Sequence, residues 1–228
     1  MTVLASAILA RVRSQLIDEG ATRRWSDAEL LRWLSDAERA LVAASPSLGE
    51  VTAPFALAIG TKQTLTGQAF MLLDVRRNLG EDGATPGRAI TVVTRELLDG
   101  FDPLWHAGRR SATISNFVYD PRTPKTFYVY PPANGETQIE VSTANTPAEI
   151  TALDQAITVP DLYQTALFDY VMFRAHQKDT DYAAGMEKAQ VYLQLFTAFV
   201  GGHEGGKLAE SPNTALGPTD LNSKGAAK

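Results

Sequence analysis

The sequence predicts an α+β fold, in which a helical bundle carries a small inserted antiparallel β domain and a flexible C-terminal tail. Apolar residues recur at helical spacing near both ends of the chain, and short β-branched and aromatic runs fill the middle. The last residues are glycine-rich and polar. The expected organisation is an N-terminal helical hairpin at 1–47, an antiparallel β domain at 48–158, a C-terminal helical pair at 159–200 and a tail at 201–228.

Two helices are predicted at the N-terminus. Ser26 is the expected N-cap of the second helix, with Glu29 three residues later as its reciprocal partner and Trp25 packing on Leu30. That helix should end before Pro46, because the residue before a proline avoids helical geometry. The first helix, residues 2–18, has an apolar stripe formed by Leu4, Ile8, Val12 and Leu16.

The β domain is predicted from short segments separated by glycine- and proline-rich turns. Connections this short cannot hold crossover helices, so antiparallel pairing is expected. A short helical turn is expected at 95–100. The expected strands are 55–60, 62–65, 70–77, 89–94, 112–120, 126–131 and 138–143.

The C-terminal helical pair is expected to be the core against which the rest of the chain packs. Pro160 suits the first turn of its first helix, and Gly201–Gly202 should end its second helix. The composition of 201–228 cannot offset the entropy of ordering, so this tail is expected to be disordered alone. The inward faces are expected to hold Leu162, Ala166, Tyr170 and Phe173 in the first helix, and Tyr182, Met186, Ala189, Leu193, Phe196 and Val200 in the second.

Composition and motifs argue against most kinds of catalytic, metal and nucleic-acid-binding site. The net charge of -5 disfavours a nucleic-acid binder that works through a basic surface, and the absence of cysteine excludes disulfides and thiolate metal sites. His106, His176 and His203 lack metal-ligand spacing, and nucleophile-elbow and Walker motifs are missing. We therefore expect no catalytic residue, cofactor or metal, and a protein that folds in a cytoplasm.

Aromatic side chains alternate along the strand expected at 126–131, so Tyr128 should face opposite to Phe127 and Val129.

Carboxylates and arginines cluster in a few places. The carboxylates are Asp169, Asp179, Asp181 and Glu187 on the last two helices, Glu81 and Asp82 in one turn, and Asp99 and Asp102 in another. Carboxylate pairs would suit glycoside hydrolysis, although solvated helix faces and turns explain them as well. Arginine pairs suit contacts with an acidic neighbouring subunit, because the guanidinium binds a carboxylate through two hydrogen bonds, although surface solubility also explains them. The candidate subunit-contact residues are Arg76, Arg77, Arg109 and Arg110.

Four segments in a fixed order resemble the head–tail adaptor proteins of tailed bacteriophages. The first is RWSDAELLRWLSDAERALVAASPSL at 24–48, and the second is LLDVRRNLGEDGATPGRAITVVTRELLD at 72–99, followed by DPLWHAG at 102–108. The third is DPRTPKTFYVYPP at 120–132. The last segment, 157–196, covers the C-terminal helical pair.

The resemblance implies a structural role in the virion neck. Such adaptors form a dodecameric ring beneath the portal, around the DNA channel, and give the tail its attachment surface. The resemblance implies that the partners are the portal protein, a tail tube or nozzle protein, further copies of the chain and passing double-stranded DNA. It also implies assembly in the bacterial cytoplasm. The tail would bind the portal through Leu208, Leu216 and Leu221. The alternatives are another neck or tail-tube component, or a glycan-binding or glycan-cleaving virion protein.

Overall fold

The computed structural model describes residues 3–20, 22–179 and 183–210, with side chains of the last helix described for 185–202. The chain divides into two compact units. A helical unit combines the chain up to Ser45 with the chain from Glu149 onward, and a β unit comprises Pro46–Ala148. The predicted α+β class is confirmed, because helices flank a central run of strands that form two sheets.

Five α-helices lie in the described part of the chain. Two precede the strands, one lies among them and two follow them. They are α1 (Ala5–Leu16), α2 (Asp27–Ala44), α3 (Arg95–Phe101), α4 (Gln164–Lys178) and α5 (Ala183–Glu210), with short 3-10 turns at Pro46–Gly49, Trp105–Ala107 and Asp161–Tyr163.

The core of the helical unit lies between the apolar faces predicted from sequence. Pro160 lies just before the 3-10 turn that leads into α4, so it precedes the α-helix rather than occupying its first turn. Leu162 is exposed, because it belongs to this turn and not to the inward face of α4. The buried side chains include Ile8, Leu9, Val12, Leu30, Leu34, Leu41, Leu167, Val171 and Met172.

Residues 149–158 belong to the helical unit, whereas the sequence pattern placed them with the β domain. They supply carbonyl groups to the start of α1, where Leu4 provides no side-chain cap. The Ala5 N–H donates to the Gln155 carbonyl and the Ser6 N–H to the Leu153 carbonyl, each at 2.9 Å. The first N–H groups of a helix have no partner within it, so this extended segment stabilises α1 by satisfying them.

Glu38 fixes the continuation of that segment from inside the helical core. Its side chain is fully buried, and its Oε1 accepts hydrogen bonds from the backbone N–H groups of Thr158 at 2.5 Å and Val159 at 3.3 Å. Its Oε2 is buried without a hydrogen-bond partner among the described residues. Burial raises the pKa of the Glu38 carboxyl, and the two N–H groups offset only part of that rise.

Arg13 joins the end of α1 to the start of α2. The residue is buried, and its guanidinium donates to Asp18 Oδ2 at 2.7 Å, Asp27 Oδ1 at 2.5 Å and the Trp25 carbonyl at 3.1 Å. Asp18 is buried too, and also accepts from the Arg24 N–H at 2.7 Å. A buried arginine with three acceptors holds the connection between the two helices in one geometry.

The predicted cap of α2 is present in part. Ser26 Oγ accepts from the Glu29 N–H at 3.2 Å, as expected for an N-cap. The Glu29 side chain forms an ion pair with Lys178 of α4. Trp25 packs edge-on against Trp33, with ring centroids 5.4 Å apart, and the Lys178 ammonium lies over its face. The carboxylate predicted to complete the capping box therefore links α2 to α4.

The predicted end of the last helix at Gly201–Gly202 was wrong, because α5 continues to Glu210. A glycine ends a helix when its backbone turns left-handed, whereas within a helix it costs only about 1 kcal/mol relative to alanine. The predicted inward stripe of α5 was right for Ala189 and Phe196, but Met186 and Leu193 are exposed. Tyr182 and residues 211–228 lie outside the described residues.

The β unit consists of two four-stranded sheets. The first has the order β1-β8-β3-β4 and is antiparallel throughout; the second has the order β2-β7-β6-β5, in which only the β5–β6 pair is parallel. Its strands are β1 (Glu50–Ala56), β2 (Gly60–Thr64), β3 (Ala69–Leu79), β4 (Pro86–Ala89), β5 (Thr91–Val92), β6 (Asn116–Tyr119), β7 (Thr126–Ala133) and β8 (Gln138–Asn145).

The run at 89–94 was predicted as one strand, but it is divided between the sheets. β4 ends at Ala89 in the first sheet and β5 begins at Thr91 in the second. Ile90 lies between them, buried in the core cluster to which both sheets contribute. Asn78 joins the sheets at this point, because its side-chain amide donates to the carbonyls of Arg88 and Ile114 and accepts from the Ile114 N–H. The strand is therefore interrupted where the chain crosses from one sheet to the other.

Candidate interaction surfaces

The segment from α3 to the 3-10 turn Trp105–Ala107 lies on the outer face of the second sheet. Leu98 and Trp105 form a small buried cluster with Val118 of β6, separate from the core between the sheets. Tyr128 and Tyr130 of β7 pack against this cluster. Because side chains alternate along a strand, Phe127 and Val129 point the opposite way into the core, as the sequence pattern predicted.

Hydrogen bonds and ring contacts hold Trp105 in one orientation. Its indole N–H donates to Asp99 Oδ1 at 2.9 Å, and its ring stacks on His106 with centroids 3.7 Å apart. His106 Nδ1 shares a hydrogen bond with Thr61 Oγ1 at 2.8 Å. The Trp105 hydrogen bond, helped by the charge of Arg95, lowers the pKa of Asp99. This segment is therefore an ordered element rather than a loose connection.

The opposite side of this segment exposes large apolar side chains, which we call the α3 patch: Leu97, Phe101 and Leu104. Their exposed fractions are 61%, 77% and 75%. Leu97 and Phe101 are four residues apart in α3 and so lie on one side of the helix, and Leu104 follows three residues after the helix ends. Contiguous exposed apolar groups on a soluble domain commonly mark an interaction surface.

A pocket of about 640 Å³, the α3 pocket, adjoins the N-terminal end of α3. It lies between the start of α3 and strands β6 and β7, within the β unit. The volume is typical of sites that receive several side chains or a small ligand. Its lining is mixed: apolar and aromatic side chains come from Val92, Val93, Trp105, Val118, Tyr119 and Tyr128, charged ones from Arg95, Glu96, Asp120 and Arg122, and polar ones from Thr94, His106 and Thr123.

Most charges of the α3 pocket are paired within the chain. Arg95 Nε lies 3.3 Å from Asp99, and Arg122 donates to Asp120 at 2.9 Å. The Arg122 bond holds the pKa of Asp120 below its ordinary value. Glu96 is exposed and makes no ion pair with any described residue. The lowered pKa of Asp120 is opposite to the shift that a glycosidase acid requires, so this carboxyl does not suit proton donation.

The four arginines predicted as subunit contacts fall into two groups. Arg76 donates to Glu50 and Ser142, each at 3.0 Å, and Arg77 donates to Glu140 at 3.0 Å. Arg109 and Arg110 are exposed, and neither makes an ion pair within the described part of the chain. The first pair thus stabilises the first sheet, and the second pair is available to a partner.

The apolar residues predicted for the tail lie at or beyond the end of the described chain. Leu208 belongs to the last turns of α5, which the sequence pattern had assigned to the tail. Leu216 and Leu221 lie outside the described residues. Portal binding by these three leucines therefore stays a prediction.

The carboxylates noted in the sequence lie apart or serve local structure. Asp169 is buried in α4, and burial raises its pKa, whereas Asp179 pairs with Arg24 at 2.6 Å. Asp82 accepts bonds from Thr85 and Ala84 within one turn, and the Thr85 hydroxyl chiefly lowers its pKa to about 2. Asp181 lies outside the described residues.

Two other kinds of site were sought across the described ranges. Among these residues no group of three or more histidine, aspartate or glutamate side chains is placed to hold a metal ion. No helix within those ranges is both long and apolar enough to cross a membrane.

An ordered helix with exposed apolar side chains beside a pocket is typical of a protein that contacts other macromolecules. The family described as SU10 adaptor protein matches residues 1–215. The chain therefore belongs to this family of bacteriophage head–tail adaptors, which are structural proteins of the virion. A search among curated proteins finds no match to the chain.

The residues of the α3 patch were missed in the sequence, although a signal was present. In RELLDGFDPLW (95–105), Leu97 and Phe101 are four residues apart and share a helix face that does not include Leu98. A short helix that carries apolar side chains on two sides can bury only the side that packs against the sheet. The face that holds Leu97 and Phe101 is the one left exposed.

Proposed function

We propose that the protein forms a dodecameric ring beneath the portal of a tailed bacteriophage, around the DNA channel, and that this ring provides the attachment surface for the tail. Its partners would be the portal protein, the tail tube or nozzle protein and further copies of itself. The observation that carries the proposal is the exposed α3 patch on a chain of the adaptor family. Exposed apolar side chains grouped in this way commonly mark a surface that a partner covers.

The charge of the chain is compatible with a DNA channel. The net charge is -5 at neutral pH. Each phosphate contact made by a lysine or arginine adds affinity through counterion release, which would slow DNA passage. A ring of acidic subunits lets double-stranded DNA slide without sequence-specific binding. Assembly would take place in the bacterial cytoplasm, with the finished ring in the virion neck.

The portal would bind the C-terminal segment, with Leu208, Leu216 and Leu221 as apolar anchors. A segment that orders on binding covers a large surface, and a ring presents many copies together, so weak single contacts add through avidity. Because α5 extends to Glu210, the segment would leave the helical unit at the end of this helix.

Light scattering on the protein alone, and then mixed with the portal of the same particle, tests the proposal. The expected result is a stoichiometric adaptor ring on the portal. A chain that stays unbound in the presence of the portal would overturn it and favour a distal neck or tail-tube component. Parallel pull-downs on portal and nozzle proteins separate these two positions.

Truncation tests the role of the C-terminal segment. Removing residues 211–228 leaves α5 complete, so the circular dichroism spectrum of the helical unit should not change. Binding to the portal should fall strongly. The double substitution Leu216→Ser and Leu221→Ser should reproduce most of that loss, and unchanged portal binding by both variants would exclude residues 211–228 as the anchor.

A further inference from the structure

We propose that the α3 patch of one copy docks into the α3 pocket of the next copy, so that two surfaces around one short helix form the two halves of a head-to-tail subunit contact. This inference deepens the ring proposed above and rests on it. Its occupant is a second copy of this chain. The argument depends on three features of the β unit: an exposed apolar projection, a matching cavity and unpaired charges of opposite sign.

Residues that flank α3 on both sides line the pocket, including Trp105 and His106 after the helix, whereas no residue of the α3 patch lines it. Thr94, Arg95 and Glu96 line the pocket at the N-terminal end, and Phe101 lies at the C-terminal end. Six residues at 1.5 Å each separate Arg95 from Phe101 by about 9 Å along the helix. Phe101 is not among the residues that line the pocket of its own chain. The geometry therefore suits insertion into a neighbouring copy.

The chemistry of the two surfaces matches. The apolar part of the pocket lining includes Val92, Val93, Val118 and the rings of Trp105 and Tyr128, which suit the phenyl ring of Phe101 and the isobutyl group of Leu104. Aromatic rings prefer edge-on or offset contacts, and the pocket already holds Trp105 and Tyr128 in an edge-on pair. A volume of about 640 Å³ exceeds what one side chain needs, so more than one residue of the patch can enter.

The free charges favour a second copy over an unrelated partner. Arg109 and Arg110 follow the patch within six residues of Leu104 and make no ion pair within the described ranges. Glu96 borders the pocket and is likewise unpaired there. In a head-to-tail contact the arginines of one copy approach Glu96 of the next, and arginine pairs well with a carboxylate.

Docking of the patch of one copy into the pocket of the next, without the reverse contact between the same two copies, is a heterologous contact. Such contacts propagate around a closed ring when the rotation between neighbours closes, whereas reciprocal docking of both patches into both pockets stops at a dimer. The ring proposed above requires the first arrangement.

Cross-linking on the full chain tests the contact directly. The protein has no cysteine, so Arg110→Cys and Glu96→Cys variants each carry one thiol. A mixture of the two, treated with a short bifunctional maleimide while assembled on the portal and also at high concentration alone, should yield mixed dimers several-fold above the homodimers of either variant. Val51→Cys, exposed on the other sheet, replaces Arg110→Cys as the matched control. A mixed product no more abundant than with this control would overturn the proposal.

Charge reversal gives an independent readout. Arg109→Glu with Arg110→Glu should reduce ring formation at least tenfold, and so should Glu96→Arg, because each places like charges in contact. A mixture of the two variants restores opposite charges at every contact and should recover assembly. Failure to recover, with both variants folded by circular dichroism, would contradict the charge pairing.

The outcomes separate this inference from the proposed function. If wild-type protein forms a ring on the portal but the 96–110 pair does not cross-link above control, the docking is wrong and the ring proposal stands. If the pair cross-links but the portal is not bound, the head-to-tail contact stands and the position beneath the portal is wrong. Phe101→Ser should weaken assembly at least tenfold, and wild-type assembly in that variant would also contradict the docking.

Discussion

Replacing Arg13 with methionine should destabilise the helical unit more than any exposed ion-pair substitution. Arg13→Met removes the charge that pairs with Asp18 at 2.7 Å and with Asp27 at 2.5 Å, while it keeps an apolar side chain of similar length. The Asp18 carboxylate is only 6% exposed, so it stays buried without its cation. Removing one partner of a buried ion pair costs about 3–5 kcal/mol.

The expected cost lies at the lower end of that range. Asp18 keeps hydrogen bonds from the N–H groups of Arg24 at 2.7 Å and Trp25 at 3.3 Å, and Asp27 keeps its contact with Arg23 at 3.2 Å. We therefore expect the free energy of unfolding to fall by about 3 kcal/mol. With a denaturant slope of about 1–3 kcal/mol per molar, the urea midpoint should fall by about 1–3 M.

Urea unfolding followed by circular dichroism at a helix band measures this change. The matched control is Arg23→Met, whose exposed pair with Asp27 should contribute only about 0.2–1 kcal/mol. Adding Asp18→Asn to Arg13→Met should recover much of the lost stability, because the buried charge disappears while the carbonyl oxygen still accepts hydrogen bonds. Equal losses for Arg13→Met and Arg23→Met, or purely additive behaviour of the double variant, would refute the reasoning.

Three further predictions concern single positions of the helical unit. Ile17→Gly should raise the free energy of unfolding by about 0.5–1 kcal/mol in the same urea assay. Ile17 is exposed and has a φ of 55°, a backbone conformation that is more strained for a β-branched residue than for glycine. A loss of stability would show that the Ile17 side chain is needed. Gly185→Ala should lower the free energy of unfolding by about 1–3 kcal/mol, since the added Cβ would lie 2.5 Å from the Asp179 carbonyl oxygen. Identical thermal melting curves for the Gly185→Ala variant and the wild type would contradict this. Glu38 ionises above its ordinary pKa of 4.5, so its contribution to stability is complete below pH 4.5 and is lost as the pH rises through the raised value. Relative to Glu38→Gln, the wild type should thus lose stability as the pH rises above 4.5. Parallel pH profiles of the two proteins would count against the assignment.

The local elements followed from the sequence because their signals are local. The cap at Ser26 and the spacing of Leu30, Leu34 and Leu41 located α2 to within a residue or two of its observed bounds. Alternation of Phe127, Tyr128 and Val129 correctly separated the core side of β7 from its outer side. The resemblance to phage adaptors also came from segments of the sequence, and the family match confirms it.

The pairing of distant elements required the tertiary structure. β8 lies between β1 and β3 in the first sheet, so strands far apart in sequence became neighbours, which alternation cannot predict. The burial of Arg13 and Glu38 was equally hidden, because a charged residue is buried only where distant groups provide partners.

The sequence by itself determined the approximate positions of most helices and strands, the absence of cysteine chemistry and the kinship to phage adaptors. Only the tertiary structure decided which apolar faces stay uncovered. Leu98 and Leu97 are adjacent and chemically identical, yet the first is buried under the second sheet and the second is exposed. The difference arises because sequence spacing assigns residues to a face, whereas burial depends on whether another element of the fold packs against that face.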